Sequence, residues 1–192
     1  MIKTTLLAVC ITAATLPSGA STSTCEKNSP KPLIACYNEE IPAAEELLKQ
    51  IIDVTGLRQN FELKQAKVKN IEPSISHRKR FILYNPDFIN QINRLTRDKW
   101  ATLALLAHEV GHHLNGHTIR NTGSRPDLEL EADEFAGFVL YKLGAPLEKA
   151  QEVMKYIAKK ETSSSHPGRQ RRMLAIETGW NRASGLEQTG KL

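Results

Sequence analysis

The chain has 192 residues, which is enough for one domain with a single hydrophobic core rather than for several domains. Hydrophobic residues make up 40% of the sequence and charged residues 24%, the balance of an ordinary soluble globular protein. The formal net charge of +5 could favour peripheral contact with an anionic membrane or cell wall, but lysines and arginines are spread along the chain, which favours a solvated surface. No nucleic-acid partner is expected.

Residues 1–20 predict a secretory signal peptide. Lys3 supplies a positive start, an apolar run extends from Leu6 to Leu16, and Pro17 precedes small residues. The run is too short to serve as a permanent membrane anchor. We place cleavage after Ala20, which predicts an exported protein, periplasmic or secreted, with a net charge of +4 once the charge of Lys3 is subtracted from +5.

Residues 21–40 form a polar N-terminal arm that contains two cysteines, Cys25 and Cys36. Neither cysteine has the spacing of a metal ligand. An even number of cysteines in an oxidising compartment favours a disulfide, which we expect to tie the polar stretch Ser21–Lys31 to the segment that follows it.

The elements that follow predict an α+β domain over residues 41–178. Pro42 is well placed to open a helix, whose apolar residues recur at helical spacing until Gly56. Alternating apolar positions in 61–75 and the apolar run Arg80–Tyr84 predict the strands of a small antiparallel sheet. A helical or turn connection then leads to the most informative part of the chain.

The next predicted helix ends near Asn115–Gly116 and is apolar on nearly every side between Trp100 and Ala107. Such a helix is expected at the centre of a domain, where buried polar groups need partners. It nevertheless contains the pattern His-Glu-x-x-His, formed by His108, Glu109 and His112.

The spacing of these three residues favours a metal site with hydrolytic chemistry. Residues four apart lie on one face of a helix, so His108 and His112 can direct imidazole nitrogens at one ion. Glu109 lies about 100° around the helix, where it can reach water without being a ligand. A hydrolytic zinc site also needs a third protein ligand and one open position. Solvated or hydrogen-bonded histidines are the alternative, but they are costly in so apolar a helix.

The third ligand is expected on a helix from about Leu128 to Leu143, with Asp127 as its N-cap. Glu129 near the start of this helix can meet His112 near the end of the preceding one. Asp133 shares the face of Glu129 and is expected to orient a ligating histidine by accepting its second ring N–H.

The other polar residues nearby have simpler interpretations. Glu131 and Glu134 point elsewhere on the helix and are expected to be solvated. His117 is one residue short of the third histidine of metzincin peptidases, a position occupied here by Thr118. We interpret His117 as supporting a ligand or as structural, and His113 as structural.

Three motifs together resemble those of the gluzincin family of zinc metalloproteases, which contains the HtpX heat-shock protease and the CAAX prenyl protease. The motifs are His108-Glu109-x-x-His112, Glu129-x-x-Ala132-Asp133, and Ser165-His166-Pro167 followed by Arg172. No membrane-spanning helix is expected, so the resemblance is to the small exported soluble branch. The family's usual Asn-Ala and Pro-Gly-Gly signals before the motif helix are absent.

The resemblance implies a mainly helical zincin-like fold with the sheet beside the active-site helix. It also implies one Zn²⁺ per chain and two catalytic residues, Glu109 and His166. His166 would lie near the zinc, as an oxyanion-binding group or as a gate over the open position, and Arg172 would pair with a carboxylate. The implied metal ligands are His108, His112 and Glu129.

The expected function is that of an exported zinc-dependent endopeptidase acting on unfolded or misassembled envelope polypeptides. In such peptidases an exposed sheet edge commonly holds the substrate, and Phe81–Tyr84 is the candidate strand, although a buried core strand explains it equally well. Two other functions stay open: a zinc-containing periplasmic chaperone or adaptor that does not cut, and a zinc amidase acting on cell-wall peptides.

The remaining chain predicts two more helices and a tail. Residues 147–160 form an amphipathic helix that covers the core, and Pro167 opens a basic helix. From Gly179 onward the polar tail is expected to fray.

Overall fold

The computed structural model describes residues 41–117, 125–164 and 166–185. Within these residues the chain is α+β, with helices and a three-stranded sheet. The elements in chain order are α1 (Ala44–Thr55), β1 (Glu62–Gln65), β2 (Ile71–Ser76), β3 (Lys79–Tyr84), α2 (Pro86–Thr96), α3 (Trp100–Leu114), α4 (Pro126–Lys142), α5 (Leu147–Glu152), α6 (Met154–Ile157) and α7 (Arg169–Ser184). None of the described helices combines the length and apolar surface that crossing a bilayer requires.

Several predictions fall outside the described residues. These are the signal peptide over 1–20, the arm over 21–40 with the disulfide between Cys25 and Cys36, and the last residues of the tail.

α3 lies at the centre of the core, and every residue from Ala101 to His113 is buried. It is covered by α1, α2, α4, α5 and the sheet. This enclosure explains why its sequence is apolar all round, because a helix with neighbours on every side has no polar face to present to water.

α4 comes close to α3 at Gly111. A Cβ at Gly111 would lie 3.2 Å from the Cα of Ala132, so the small residues on the two helices permit the contact. The backbone that comes close to Gly111 is therefore that of α4, which carries the third ligand candidate.

α7 packs even more closely on α4. A Cβ at Gly137 would lie 1.9 Å from the carbonyl oxygen of Ile176, and one at Gly179 would lie 1.8 Å from that of Glu134. The two helices can therefore touch backbone to backbone only because both positions are glycine. This contact holds α7 in place as far as Ser184, so the prediction of a frayed tail from Gly179 is wrong for residues 179–184.

The sheet has the order β1-β3-β2, with β1 parallel and β2 antiparallel to β3. The predicted antiparallel sheet is thus corrected to a mixed one. The reason is the chain path: β2 forms the far edge, and the turn after it returns β3 to the middle, where it runs in the same direction as β1. Phe81–Tyr84 is accordingly a central strand with buried Ile82 and Tyr84, not an exposed edge.

Three helix starts also differ from the predictions. α1 begins at Ala44 with Ala43 as its N-cap, so Pro42 lies before the helix and does not open it. Asp127 is not the N-cap of α4; the cap is Arg125, and Pro126 opens the first turn, where its missing N–H costs nothing. Similarly, α7 starts at Arg169 after Gly168, not at Pro167. The single helix predicted over 147–160 is divided into α5 and α6.

Candidate metal centre

The candidate metal centre is formed where the first turn of α4 meets the last two turns of α3. The Nε2 atoms of His108 and His112 lie 3.1 Å apart. Glu129 places Oε2 3.4 Å from Nε2 of His108 and Oε1 3.5 Å from Nε2 of His112. All three side chains are buried, and one ligand atom from each lies within 4.8 Å of the others. The structure therefore brings the three predicted ligands into one group that can hold a metal ion.

His108 is held from behind by a buried ion pair. Its Nδ1–H donates to Oδ1 of Asp133 at 2.9 Å, and the Nε and terminal nitrogens of Arg172 each donate to Asp133 at 2.7 Å. Burial by itself lowers the pKa of His108, but the charge and hydrogen bond of Asp133 outweigh burial and raise the pKa to about 10. A metal ion at Nε2 has to displace the proton held there. Asp133 and Arg172 thus make the contacts predicted for them.

His112 has a different environment. Burial, followed by the neighbouring positive charge of His108, lowers its pKa to about 3, so its imidazole is neutral. Its Nδ1 lies 3.0 Å from Nδ1 of His117, whose Nε2 lies 2.9 Å from Oε2 of Glu131. Sequence reasoning assigned Glu131 to solvent, but its carboxylate also contacts this histidine. His117 follows α3 in sequence, and the turn that brings it back could not be read from helical periodicity.

His113 faces the other side of α3, as expected for a structural residue. Its ring stacks on Phe61 with centroids 5.1 Å apart, and its Nε2–H donates to the carbonyl oxygen of Phe81 at 2.9 Å. This contact fastens the C-terminal end of α3 to the central strand of the sheet.

Glu109 is buried on the wall of the site without being part of the ligand group. Among the described residues, its Oε2 has no hydrogen-bond partner. Burial raises its pKa to about 8. A buried carboxyl oxygen without a partner is costly in a purely structural position, so this atom is poised for contact with a bound molecule.

A cleft of about 710 Å³ opens onto these residues. Ile71, Glu72, Pro73, Ser74 and Ile75 of β2 line one wall, and the ligand group and Glu109 lie at its base. The cleft therefore borders five of the six residues of β2.

The hydrogen-bond pattern of β2 leaves backbone groups facing this cleft. The N–H of Asn85 donates to the carbonyl of Asn70, so these two opposed residues form a hydrogen-bonded pair. Along an antiparallel ladder, hydrogen-bonded and non-hydrogen-bonded pairs alternate. Ile71, Pro73 and Ile75 therefore occupy non-bonded pairs, and their backbone groups point away from β3. Within the described part of the chain, β2 is an edge strand whose free side borders the cleft.

Pro73 fits this assignment, because proline lacks an N–H and is confined to strand edges. The same residue was a signal in the sequence that could have identified β2 as the edge strand. Sequence reasoning missed it by choosing the most apolar run, which is the run that a central strand needs.

His166 lies across the cleft from the ligand histidines. Its Nε2 is 3.8 Å from Oε2 of Glu129, and its side chain is 54% exposed. The third motif is therefore placed beside the first two, with His166 at the mouth of the site and Arg172 behind it.

Comparison of the chain with models of known protein families finds no match, and comparisons with curated protein sequences and with solved structures find none either. The assignment of roles to these residues therefore depends on their geometry and chemistry. The resemblance to gluzincins stays a prediction.

Proposed function

We propose that the protein is a zinc-dependent endopeptidase that is exported and cleaves unfolded or misassembled envelope polypeptides. The observation that carries the proposal is the convergence of His108, His112 and Glu129 at the base of an open cleft, with the buried carboxyl of Glu109 beside them. The predicted signal peptide supports the export.

The donor set fits zinc. Two imidazole nitrogens and one carboxylate are the protein ligands of several catalytic zinc sites, in which the fourth position stays open. His108, His112 and Glu129 would hold the ion. When bound, zinc supplies Lewis acidity that polarises a carbonyl and lowers the pKa of water to roughly 7.

Glu109 is the proposed general base and acid. Its carboxylate accepts a proton from the water that attacks the scissile carbonyl, and it then donates this proton to the leaving nitrogen as the C–N bond breaks. Burial raises the pKa of Glu109 to about 8, close to neutral pH, which suits a group that must both take up and return a proton.

His166 is proposed to donate a hydrogen bond to the carbonyl oxygen as negative charge develops on it. Both His166 and Glu109 line the cleft, and His166 is exposed, so both can contact a bound polypeptide. The neighbouring Arg172 adds positive charge, with a terminal nitrogen 4.0 Å from Oε2 of Glu129.

The free edge of β2 is the proposed binding site for the substrate backbone. An extended polypeptide can add to it as a strand, pairing with the outward N–H and C=O groups of Ile71 and Ile75 and with the C=O of Pro73. Hydrogen bonds to the substrate backbone do not depend on the substrate's side chains, and folded proteins seldom present an extended segment. Binding by strand addition therefore favours unfolded polypeptides.

The experiment that tests the function uses the mature protein, zinc and a reduced, unfolded polypeptide substrate. We expect metal-dependent fragments that disappear with a chelator, and we expect Glu109→Gln to reduce turnover at least about 100-fold while zinc content is unchanged. Turnover retained by Glu109→Gln would remove Glu109 from its role.

The same assay separates the other functions. A stable complex with intact polypeptide would support a zinc-containing chaperone or adaptor. Cleavage of peptidoglycan fragments but not of polypeptides would support a cell-wall amidase.

A further inference from the structure

The two ligand histidines are supported in different ways. His108 donates its Nδ1–H directly to a buried carboxylate, that of Asp133. Among the described residues, no carboxylate lies within hydrogen-bond distance of Nδ1 of His112. This Nδ1 instead lies 3.0 Å from Nδ1 of His117, and Nε2 of His117 in turn lies 2.9 Å from Oε2 of Glu131.

The end of α3 places His117 in this position. Gly116 adopts a left-handed conformation with φ 71°. The backbone N–H of His117 donates to the carbonyl of His112 at 3.0 Å, and that of Gly116 to the carbonyl of His113 at 3.3 Å. These two bonds form a Schellman motif, which turns the chain back over the last turn of the helix. The ring of His117 is thereby laid against His112 and is 6% exposed.

The chemistry of the three groups allows one arrangement of protons when His112 binds a metal through Nε2. Its Nδ1 then carries hydrogen and donates to Nδ1 of His117. A neutral His117 consequently carries its own hydrogen on Nε2, which donates to Glu131, and an ionised carboxylate can only accept. Glu131 thus determines the tautomer of His117, and His117 determines that of His112.

We propose that His117 and Glu131 are positioning residues for the metal ligand His112, which they hold in the tautomer and ring orientation that exposes Nε2 to the ion. The inference rests on the proposed metal site and does not depend on peptidase activity. Support of this kind commonly changes metal affinity by about 10- to 100-fold.

Direct measurement of zinc affinity tests the proposal. The metal-free mature protein is titrated with zinc in competition with a chromophoric chelator. We expect His117→Ala to weaken binding by about 10- to 100-fold. We expect His117→Asn to restore most of the affinity, since its Oδ1 can replace Nδ1 as the acceptor. His117→Gln should restore less, because its amide group reaches the position of Nε2 instead.

Substitutions of Glu131 provide a second test, in which a change in zinc binding cannot be due to misfolding. The side chain of Glu131 is 57% exposed, so Glu131→Ala should leave the stability of the metal-free protein nearly unchanged. We expect Glu131→Ala to weaken zinc binding, and Glu131→Gln, which retains an acceptor oxygen, to weaken it less. His77→Ala is the matched control, since His77 is an exposed histidine on the turn between β2 and β3; it should bind zinc like the unaltered protein.

The outcomes distinguish this inference from the proposed function. If the unaltered chain binds zinc but His117→Ala and Glu131→Ala bind it equally well, the positioning role is overturned while the metal site stands. If His117→Ala fails to fold, the two Glu131 variants decide the question. Failure of the unaltered chain to bind zinc would overturn both, and loss of cleavage with intact zinc binding concerns only the peptidase function.

Discussion

At the scale of single residues, the site depends on buried charges that compensate one another. Asp133 accepts hydrogen bonds from His108 and Arg172, and its side chain is completely buried. The arginine is 39 residues away in the sequence, on α7. It therefore compensates the negative charge that is buried behind the proposed ligand His108, where a carboxylate without a partner would be costly.

Arg172→Leu should destabilise the metal-free protein by about 3–5 kcal/mol, because it leaves Asp133 buried without its partner. Urea denaturation in the presence of a chelator measures the effect. Arg182→Ala is the matched control. It removes an exposed ion pair with Glu134 and should cost at most about 1 kcal/mol. Equal effects of the two substitutions would argue against a special role for the buried pair.

At the scale of secondary-structure elements, two features position the site: the contact of α4 with α7, and the edge of β2 along the cleft. The first carries Glu129, Asp133 and Arg172 on two helices that touch backbone to backbone. The second provides unpaired backbone groups beside the proposed metal. The helix contact requires Gly137 and Gly179, which have no side chain, and Pro73, which has no N–H, suits an edge strand.

Gly179→Ala should separate α7 from α4, because the new Cβ would meet the carbonyl oxygen of Glu134, which is backbone and cannot swing away. We expect a loss of about 1–3 kcal/mol in the free energy of unfolding, with weaker zinc binding as Arg172 moves. Gln170→Ala, an exposed position on the same helix, should change stability by less than about 0.5 kcal/mol. Unchanged unfolding of Gly179→Ala would show that the helices can adjust without cost.

Ile75→Pro tests the edge of β2. The N–H of Ile75 points to the cleft, and its side chain is partly exposed, so the substitution removes an edge donor and spares the ladder to β3. We expect kcat/KM for an unfolded polypeptide to fall about two- to tenfold, the value of one hydrogen bond. Ser74→Pro is the contrasting variant, since it removes a ladder donor and should lower stability. Cleavage unaffected by Ile75→Pro would exclude backbone pairing at this position.

At the scale of the whole molecule, the ligand group ties separate parts of the chain together. α3 supplies two of the proposed ligands from the centre of the core, α4 supplies the third, and α7 is joined to them through Asp133 and Arg172. A metal bound here would cross-link α3 and α4 directly and stabilise the folded state by mass action, because the unfolded chain does not bring the three ligands together.

Zinc should therefore raise the thermal unfolding temperature of the mature protein, and a chelator should reverse the change. At a free zinc concentration 100 times Kd, the stabilisation is about 2.7 kcal/mol. Glu129→Ala should lose most of this shift together with its zinc content, while Glu148→Ala, at an exposed position, should retain both. If zinc raised the unfolding temperature of Glu129→Ala as much as that of the unaltered protein, the third ligand would be another carboxylate, with Glu131 or Asp127 as the candidates.

The sequence by itself determined the features that depend on local spacing. The period of the apolar residues predicted α1, α3 and α4, and the interval of four between His108 and His112 placed both imidazoles on one face. Because Glu129 was predicted near the start of α4 and His112 near the end of α3, a short connection between the two helices was enough to place Glu129 beside both histidines. These are properties of one helix or one helix pair, so neighbouring residues suffice to predict them.

Only the tertiary structure decided how α7 packs and what supports His112; it also showed that β2 borders the cleft, for which Pro73 was an unused signal in the sequence. The apolar run Phe81–Tyr84 is equally consistent with any buried strand, and the chain path alone places it between β1 and β2. The helix from Arg169 to Ser184 is predominantly polar; the contact of Gly179 with α4 holds its second half against the domain, and the helix ends at Gly185, whose φ is 75°. His117 reaches His112 through a turn at Gly116. The strand order and the packing of α7 depend on backbone approaches between distant segments and the support of His112 on a local turn, and none of them is encoded by the periodicity of apolar residues.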